Sequence, residues 1–203
     1  MPITTERLVL RRFRQDDIPH LLDVVSHPSV SRVTREIKPT LAGIREYIDR
    51  QNSYQPFEQD KCFDLALERR EDGRVLGIIS LVCKAHRRAE IGWALGVQYR
   101  GQGFATEAAR ALMAYGFATL GLHRIQATTS SANPKSWGVM ERLGMKKEAH
   151  LREAECRGGQ WLDTLIYGIL ASEWQVSSGG WQGCGKAAGS QEPTGLVRVG
   201  AHM

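Results

Sequence analysis

Apolar and polar residues change period along this chain, and each change marks an element. "ERLVLRRF" alternates Leu8, Leu10 and Arg12 against Val9, Arg11 and Phe13, the two-residue period of a strand. "RQDDIPHLLDVVSHPSV" shifts to a helical period. Asp16 and Asp17 suit its first turn, and Ile18, Leu21, Leu22 and Val25 form one stripe. Thr40 caps a second helix, with Leu41, Ile44, Tyr47 and Ile48 on one side. From residue 61 the period returns to two. "CFDLALERR" and "VLGIISLVC" flank an Asp-Gly hairpin turn, and "KAHRR" leads into a third strand, "AEIGWALGV". A long alanine-rich helix over 104–120 follows, then the strand "HRIQATTS" and a short helix opened by "NPKS". Two last strands, "GMKKEAHLREAE" and "WLDTLIYGILA", meet at Arg157-Gly158-Gly159. The order β-α-α-β-β-β-α-β-α-β-β predicts a mixed α/β (α+β) sheet, antiparallel first and then crossed by helices.

Past Trp174 the periodicity ends. Residues 176–203 hold seven of the 21 glycines, and such a stretch cannot bury enough surface to offset its ordering entropy. The chain therefore reads as one domain over 1–175 and a Gly-rich disordered tail over 176–203, native or left by cloning. The 203 residues, 42% hydrophobic and 24% charged, suit a soluble domain with a sizeable core. The net charge of +5 is spread over pairs such as Arg11-Arg12, Arg69-Arg70 and Arg87-Arg88, which favours solvated faces over a nucleic-acid surface and would also suit an anionic small molecule. Cys62, Cys83, Cys156 and Cys184 form neither a CxxC pair nor a Cys/His cluster, so no metal site and no disulfide framework is expected. No apolar run approaches the about 18 residues of a membrane span, and no leader pattern opens the chain, so a cytoplasmic location is expected.

The chemistry concentrates in "ALGVQYRGQGFATEAARALMAYGF". A strand enters two closely spaced glycines and a helix leaves them. Unpaired N–H groups and the positive end of the dipole make a helix start an anion site, and glycines let backbone approach a ligand without an intervening Cβ. A tight strand-to-helix turn with no ligand is the competing reading. A dinucleotide fingerprint needs a third glycine where Thr106 stands and an acid at the end of the next strand, which reads "QATTS". A Walker A sequence is absent.

What matches is Q-x-x-G-x-G, here Gln98 to Gly103. It resembles the pyrophosphate-binding signature of the GNAT superfamily of acetyl-CoA-dependent N-acetyltransferases. With "NPKSWGVMERLGM" and "LREAECRGGQWLDTLIYGIL" following in order, the chain from Glu6 to Trp174 is similar to the RimJ/RimL-like branch, which acetylates N-terminal amines of ribosomal proteins. The resemblance implies a mostly antiparallel sheet of about seven strands flanked by about four helices, with a V-shaped split between the fourth and fifth strands. It implies acetyl-CoA as co-substrate, contacted by Leu95, Val97, Arg100, Gly101, Gln102, Gly103, Phe104, Ala105, Thr106, Asn133 and Ser136. The acceptor would be a primary amine, a protein N-terminus or a small molecule, and homodimers occur in this branch. A non-catalytic acyl-CoA-binding module would share the loop.

Three catalytic roles are assigned. Alternation places Glu90, Gly92, Ala94 and Gly96 on one strand face, nearly bare apart from Glu90, whose carboxylate can take a proton from an ammonium. A surface salt bridge is its bland reading, and Glu148, Glu153 and Glu155 are competitors. The resemblance gives the Val97 N–H, freed at a strand bulge, the task of holding the thioester oxyanion; an ordinary strand end is the alternative. It gives the Ser136 hydroxyl to the departing thiolate, since no tyrosine lies between 116 and 166. Asn133 is a helix cap on its own residues, with Pro134 at the first helical position. Trp137, Met140 and Leu143 read as core, Met145 replaces a usual aromatic, and His123 and His150 receive no role.

Overall fold

In the computed structural model, which describes residues 2–31, 34 and 36–174, the first alternating stretch folds back on its own start. β1 (Ile3–Thr4) pairs antiparallel with β2 (Leu8–Arg11) through Ile3↔Leu10. A two-residue strand is too short to show a period, so the expected seven or so strands become eight among the described residues. The expectation for 176–203 lies outside the described residues.

The helix predicted through residue 30 divides. After a 3-10 turn, α1 (Ile18–Val25) ends where the Ser26 N–H closes on Leu22 O at 3.0 Å. Pro28 has no N–H to continue the ladder and opens a separate turn, α2 (Pro28–Ser31). α3 (Leu41–Ser53) starts as predicted, with Thr40 Oγ1 accepting the Gly43 N–H at 3.1 Å. Five α-helices result among the described residues where about four were expected.

β3 (Cys62–Arg69), β4 (Val75–Lys84) and β5 (Arg88–Leu95) form the predicted antiparallel run. α4 (Phe104–Ala118) crosses to β6 (Arg124–Ser130), which is parallel to β5. After α5 (Pro134–Arg142), β7 (Lys146–Arg157) and β8 (Gln160–Leu170) form a hairpin turned by Gly158 and Gly159, both at positive φ. β8 enters between β6 and β7, giving the order β1-β2-β3-β4-β5-β6-β8-β7.

Alternation sends odd and even positions to opposite faces. Leu65, Leu67, Ile79, Leu81 and Ile91 pack with Leu112 and Met113 of α4 and Val139 and Met140 of α5. Ala66, Val75 and Ile78 pack with α1 and α3 through Leu21, Val24, Ile44 and Ile48. On that second side Arg11 holds Asp17 with two hydrogen bonds, at 2.7 and 2.8 Å, and Glu68 with a third at 2.5 Å. The buried Arg11–Asp17 pair is thus matched, and Glu68, which shares Arg11, also lies 3.6 Å from Arg14 Nη1.

The sheet opens between β5 and β6. They share Arg88↔Arg124, Ala89↔Ile125 and Glu90↔Gln126, yet β5 runs on to Leu95 and β6 to Ser130. The outer neighbours stay paired. β4 follows β5 without a register shift from Lys84↔Arg88 to Gly77↔Leu95, and β8 follows β6 from Arg124↔Leu170 to Ser130↔Thr164. This is the V-shaped split the resemblance implies.

Gly77 guards one arm of the V. A Cβ there would lie 2.2 Å from Ala94 O and 3.0 Å from Leu95 Cα, both backbone atoms that cannot swing aside. Gly77→Ala is expected to destabilise the protein by about 3 kcal/mol, the upper part of the overpacking range. Thermal melting checks this, and an unchanged melting temperature would contradict it.

Candidate functional site

β5 leaves the sheet through a 3-10 turn, Val97–Tyr99, and the chain then turns into α4. Gly101 and Gly103 have φ of +79° and +84°, a region that side chains rarely adopt. Gly103 stands immediately before α4 and provides no side-chain cap. The first N–H groups of α4 consequently open onto the loop, the arrangement that suits a phosphate.

The motif's side chains hold the loop in place. Gln98 Nε2 donates to Asp23 Oδ2 at 2.9 Å, Gln102 Nε2 to Gln98 O at 2.9 Å, and Arg100 Nε to Leu95 O at 3.1 Å. From the other end of the chain, Arg7 Nη1 donates to Gln102 O at 3.0 Å and the guanidinium lies 4.6 Å from the Phe104 ring centroid. Glu107, the acid in the first turn of α4, is gripped by Arg7 Nε and Thr5 Oγ1, both at 2.6 Å, and by the Arg7 N–H at 2.9 Å. Sequence reading missed Arg7, Thr5 and Glu107. An acid in the first helical turn was a visible signal, but its partners lie about a hundred residues away.

Burial alone would raise the Glu107 carboxyl; hydrogen bonds from Thr5 and Arg7 outweigh it and hold it below the usual range. A depressed folded value means stabilisation present above the unfolded value, about 4.3, and lost as pH falls through the folded one. Lowering pH from 6 toward 3 is therefore expected to loosen this anchor. Amide protection in the 98–107 loop, taken relative to the intrinsic exchange rate at each pH, should fall with acid more than in β4; equal changes would contradict the assignment.

A cavity of about 520 Å³ occupies the split and passes from one face of the sheet to the other. On the α5 side it is lined by Asn133, Ser136 and Met140, and across from them by Gly92 and Ala94 of β5. Asn133 caps α5, its side chain accepting the Ser136 N–H at 3.3 Å. Ser136 is half-buried in the first turn. A Cβ on Gly92 would meet nothing within 4 Å, so that glycine lies beneath open space.

The Gly96 N–H donates to Leu76 O at 3.0 Å, toward β4. Antiparallel alternation then turns the backbone groups of Leu95 and Trp93 toward the edge that β6 has left. Donors on this strand are thus freed by the splay of β6, since the β4–β5 ladder contains no bulge. Leu95 is buried, whereas Val97, at 39% exposure, is the first residue beyond the strand.

The structure brings Asn133, Ser136 and the bare face of β5 together. It sets Glu90 apart: Glu90 sits at the closed end of the V and lines a second, smaller cavity with Arg88, Lys84, Asp60 and Gln126. Among the competing carboxylates, Glu148 is paired bidentately with Arg124, and Asp163 accepts the Glu153 N–H. Glu155 lines the main cavity and is bound to Arg157 at 2.6 Å.

Asp64 on β3, which sequence reading passed over, also lines the cavity. Tyr47 OH donates to its Oδ2 at 2.5 Å and Gln51 Nε2 at 3.3 Å, while Cys62 Sγ lies 3.2 Å from Oδ1. Burial pushes the Asp64 carboxyl up, and burial with the Asp64 charge pushes Tyr47 well above its ordinary value. The same causes push the Cys62 thiol up to about 12, which leaves it inert as a nucleophile. Cys62, Cys83 and Cys156 are free thiols. Among the described residues no group of three or more His, Cys, Asp or Glu is placed to hold a metal ion, and no helix is long and apolar enough to cross a membrane.

Comparison with known proteins agrees with this geometry. The family model of the acetyltransferase (GNAT) domain matches residues 7–146. The uncharacterized N-acetyltransferase YnaD of Bacillus subtilis (strain 168) is 31% identical over 174 residues, covering 86% of this chain and 99% of that protein. The spermidine N(1)-acetyltransferase of Escherichia coli (strain K12) is 32% identical over 105 residues, 51% of this chain and 56% of that one. Among solved structures, a GNAT-family acetyltransferase from Bacillus anthracis superimposes with a TM-score of 0.75 at 28% identity, covering 85% of this chain and all of the other.

Proposed function

The chain belongs to the GNAT acetyltransferase family and is an acyltransferase, and from that premise we propose that it moves the acetyl group of acetyl-CoA onto a primary amine by direct attack in a ternary complex. The observation that carries this reading is the split between β5 and β6. It exposes backbone donors on one arm and sets Asn133 and Ser136 on the facing side.

In this reading the backbone from Arg100 to Thr106 receives the pyrophosphate, with Gly101 and Gly103 permitting the close approach. The Asn133 amide, oriented by its capping bond, contacts the pantetheine arm. A deprotonated amine attacks the thioester carbon: a C–N bond forms, negative charge gathers on the carbonyl oxygen, and the C–S bond breaks. Donors on the open edge of β5, from the Trp93 N–H next to Gly92 to the assigned Val97 N–H, hold that charge in a site fixed before reaction. Ser136 Oγ gives its proton to the departing thiolate and regains the one that the newly bonded nitrogen releases as the amide forms. Glu90, the assigned base, shares a strand face with Gly92 roughly 7 Å along the strand but lines the neighbouring cavity, so the amine's proton reaches it along a relay of waters. Cys62 forms no acyl intermediate.

Two acceptor classes meet these demands. A small amine is favoured by the acid-lined cavity and by similarity to an enzyme named for spermidine. The α-amine of a protein N-terminus is the class implied by resemblance to the RimJ/RimL-like branch. The test is the initial-rate pattern of thiol release with acetyl-CoA and amine varied together. Intersecting lines support a ternary complex; parallel lines would indicate an acyl-enzyme and contradict it.

A further inference from the structure

The carboxylates in the wall of the main cavity differ in what answers their charge. Glu155 is paired with Arg157 at 2.6 Å and Glu36 with Arg50 at 3.3 Å. Asp64 has neutral partners among the described residues: the Tyr47 hydroxyl, the Gln51 amide, the Cys62 thiol and the Ser80 hydroxyl. Tyr47 and Gln51 are themselves buried, at 2% and 3% exposure, so they fix the carboxylate and do not screen it. A charge held out of bulk water, hydrogen-bonded and without a counter-charge among the described residues, gains most from a cation that arrives with a ligand.

Register places that charge relative to the chemistry. Asp64 stands opposite Ser80, and Ser80 opposite Gly92, so the three form one row across β3, β4 and β5 on a single face. Two strand spacings put Asp64 about 10 Å from Gly92. Above the row the side chains are small: Ser80 has a hydroxymethyl group, and a Cβ on Gly92 would touch nothing. The row is a shallow channel leading from the split, where Asn133 and Ser136 stand, to Asp64. Taking off a charge-assisted hydrogen bond of ~2.8 Å and the reach of the aspartate leaves roughly 6 Å between an amine at Gly92 and a cation at Asp64.

We propose that the acceptor carries a second positively charged group, held by Asp64 while its primary amine meets the thioester beside Gly92. The chemical class is an aliphatic diamine or polyamine with a spacer of three or four carbons. Asp64 is a specificity-determining residue that binds the acceptor and takes no part in the bond changes. This inference rests on the amine acetyltransferase reading above and narrows its substrate.

The test compares 1,4-diaminobutane with 1-aminobutane, which has the same chain and lacks the second charge, and with an unblocked tripeptide. Wild-type protein is expected to prefer the diamine in kcat/KM by about 10–100-fold, the factor for one hydrogen bond to a charged group. The difference should lie in KM. In Asp64→Asn the preference should fall toward one while the KM for acetyl-CoA stays within about 2-fold. Equal wild-type kcat/KM for the two amines, or preference for the tripeptide, would overturn the inference and leave the acetyltransferase reading standing. An intact preference in a folded Asp64→Asn would overturn the role of Asp64. Bound acetyl-CoA with no amine acetylated would overturn both. The wild-type ratio needs no variant, so it decides even if Asp64→Asn fails to fold.

Discussion

Replacing Gly103 with valine is expected to weaken acetyl-CoA binding by roughly 10²–10⁴-fold. The residue has φ of +84° directly before α4, where a β-branched side chain is a genuine outlier. Its Cβ would have room in the sense that the nearest atom is the Arg7 guanidinium at 3.3 Å, the far end of a flexible side chain. The damage therefore comes from the backbone. Relieving the strain rotates the N–H groups on either side, and the anion loses its donors. Each hydrogen bond to a charged group contributes about 1.5–3 kcal/mol, so losing two gives the stated range. Calorimetric titration with acetyl-CoA measures it directly. Wild-type affinity in a folded Gly103→Val would mean that the loop is only a strand-to-helix turn.

Ser136→Ala is expected to lower kcat by roughly 10²-fold, the lower end of what positioned proton transfer contributes. The KM for acetyl-CoA should stay within a few-fold. Capping of α5 depends on the Asn133 side chain and the Ser136 backbone N–H, neither of which the substitution touches. Threonine at 136 keeps a hydroxyl and should restore much of the rate. A kcat unchanged in Ser136→Ala would reduce this serine to a first-turn residue, and a non-catalytic acyl-CoA-binding module would show no turnover in either form.

Local chemistry made much of this fold legible. Alternation in "CFDLALERR", "VLGIISLVC" and "AEIGWALGV" located β3, β4 and β5 and assigned the faces on which Ile91 and Gly92 lie. Asn133-Pro134 announced α5, and Gly101 and Gly103 announced the loop. What escaped depends on long-range pairing. Arg7 reaches Glu107 through the return of β1 and β2 onto α4, and no local pattern encodes that meeting. Asp64 looked like an ordinary polar position on an alternating strand. Its setting comes from Tyr47, whose ring counted toward the apolar side of α3 while its hydroxyl points at the carboxylate. Alternation also gave Glu90 the correct face without its depth. Where β5 and β6 part is a matter of long-range pairing, which persists to Glu90↔Gln126 and puts that carboxylate outside the cavity of Asn133 and Ser136.

In the proposed reaction the split and its glycine loop deliver an acetyl group to an amine. The most direct measurement is amine-dependent release of free thiol from acetyl-CoA, with the acylated amine identified by mass, run on wild type and on folded Gly103→Val side by side. One thiol per acetylated amine is expected with wild type, no release without amine, and at least ~100-fold slower release by the variant at limiting acetyl-CoA. Equal rates from the two proteins, or release that proceeds without any amine, would contradict it.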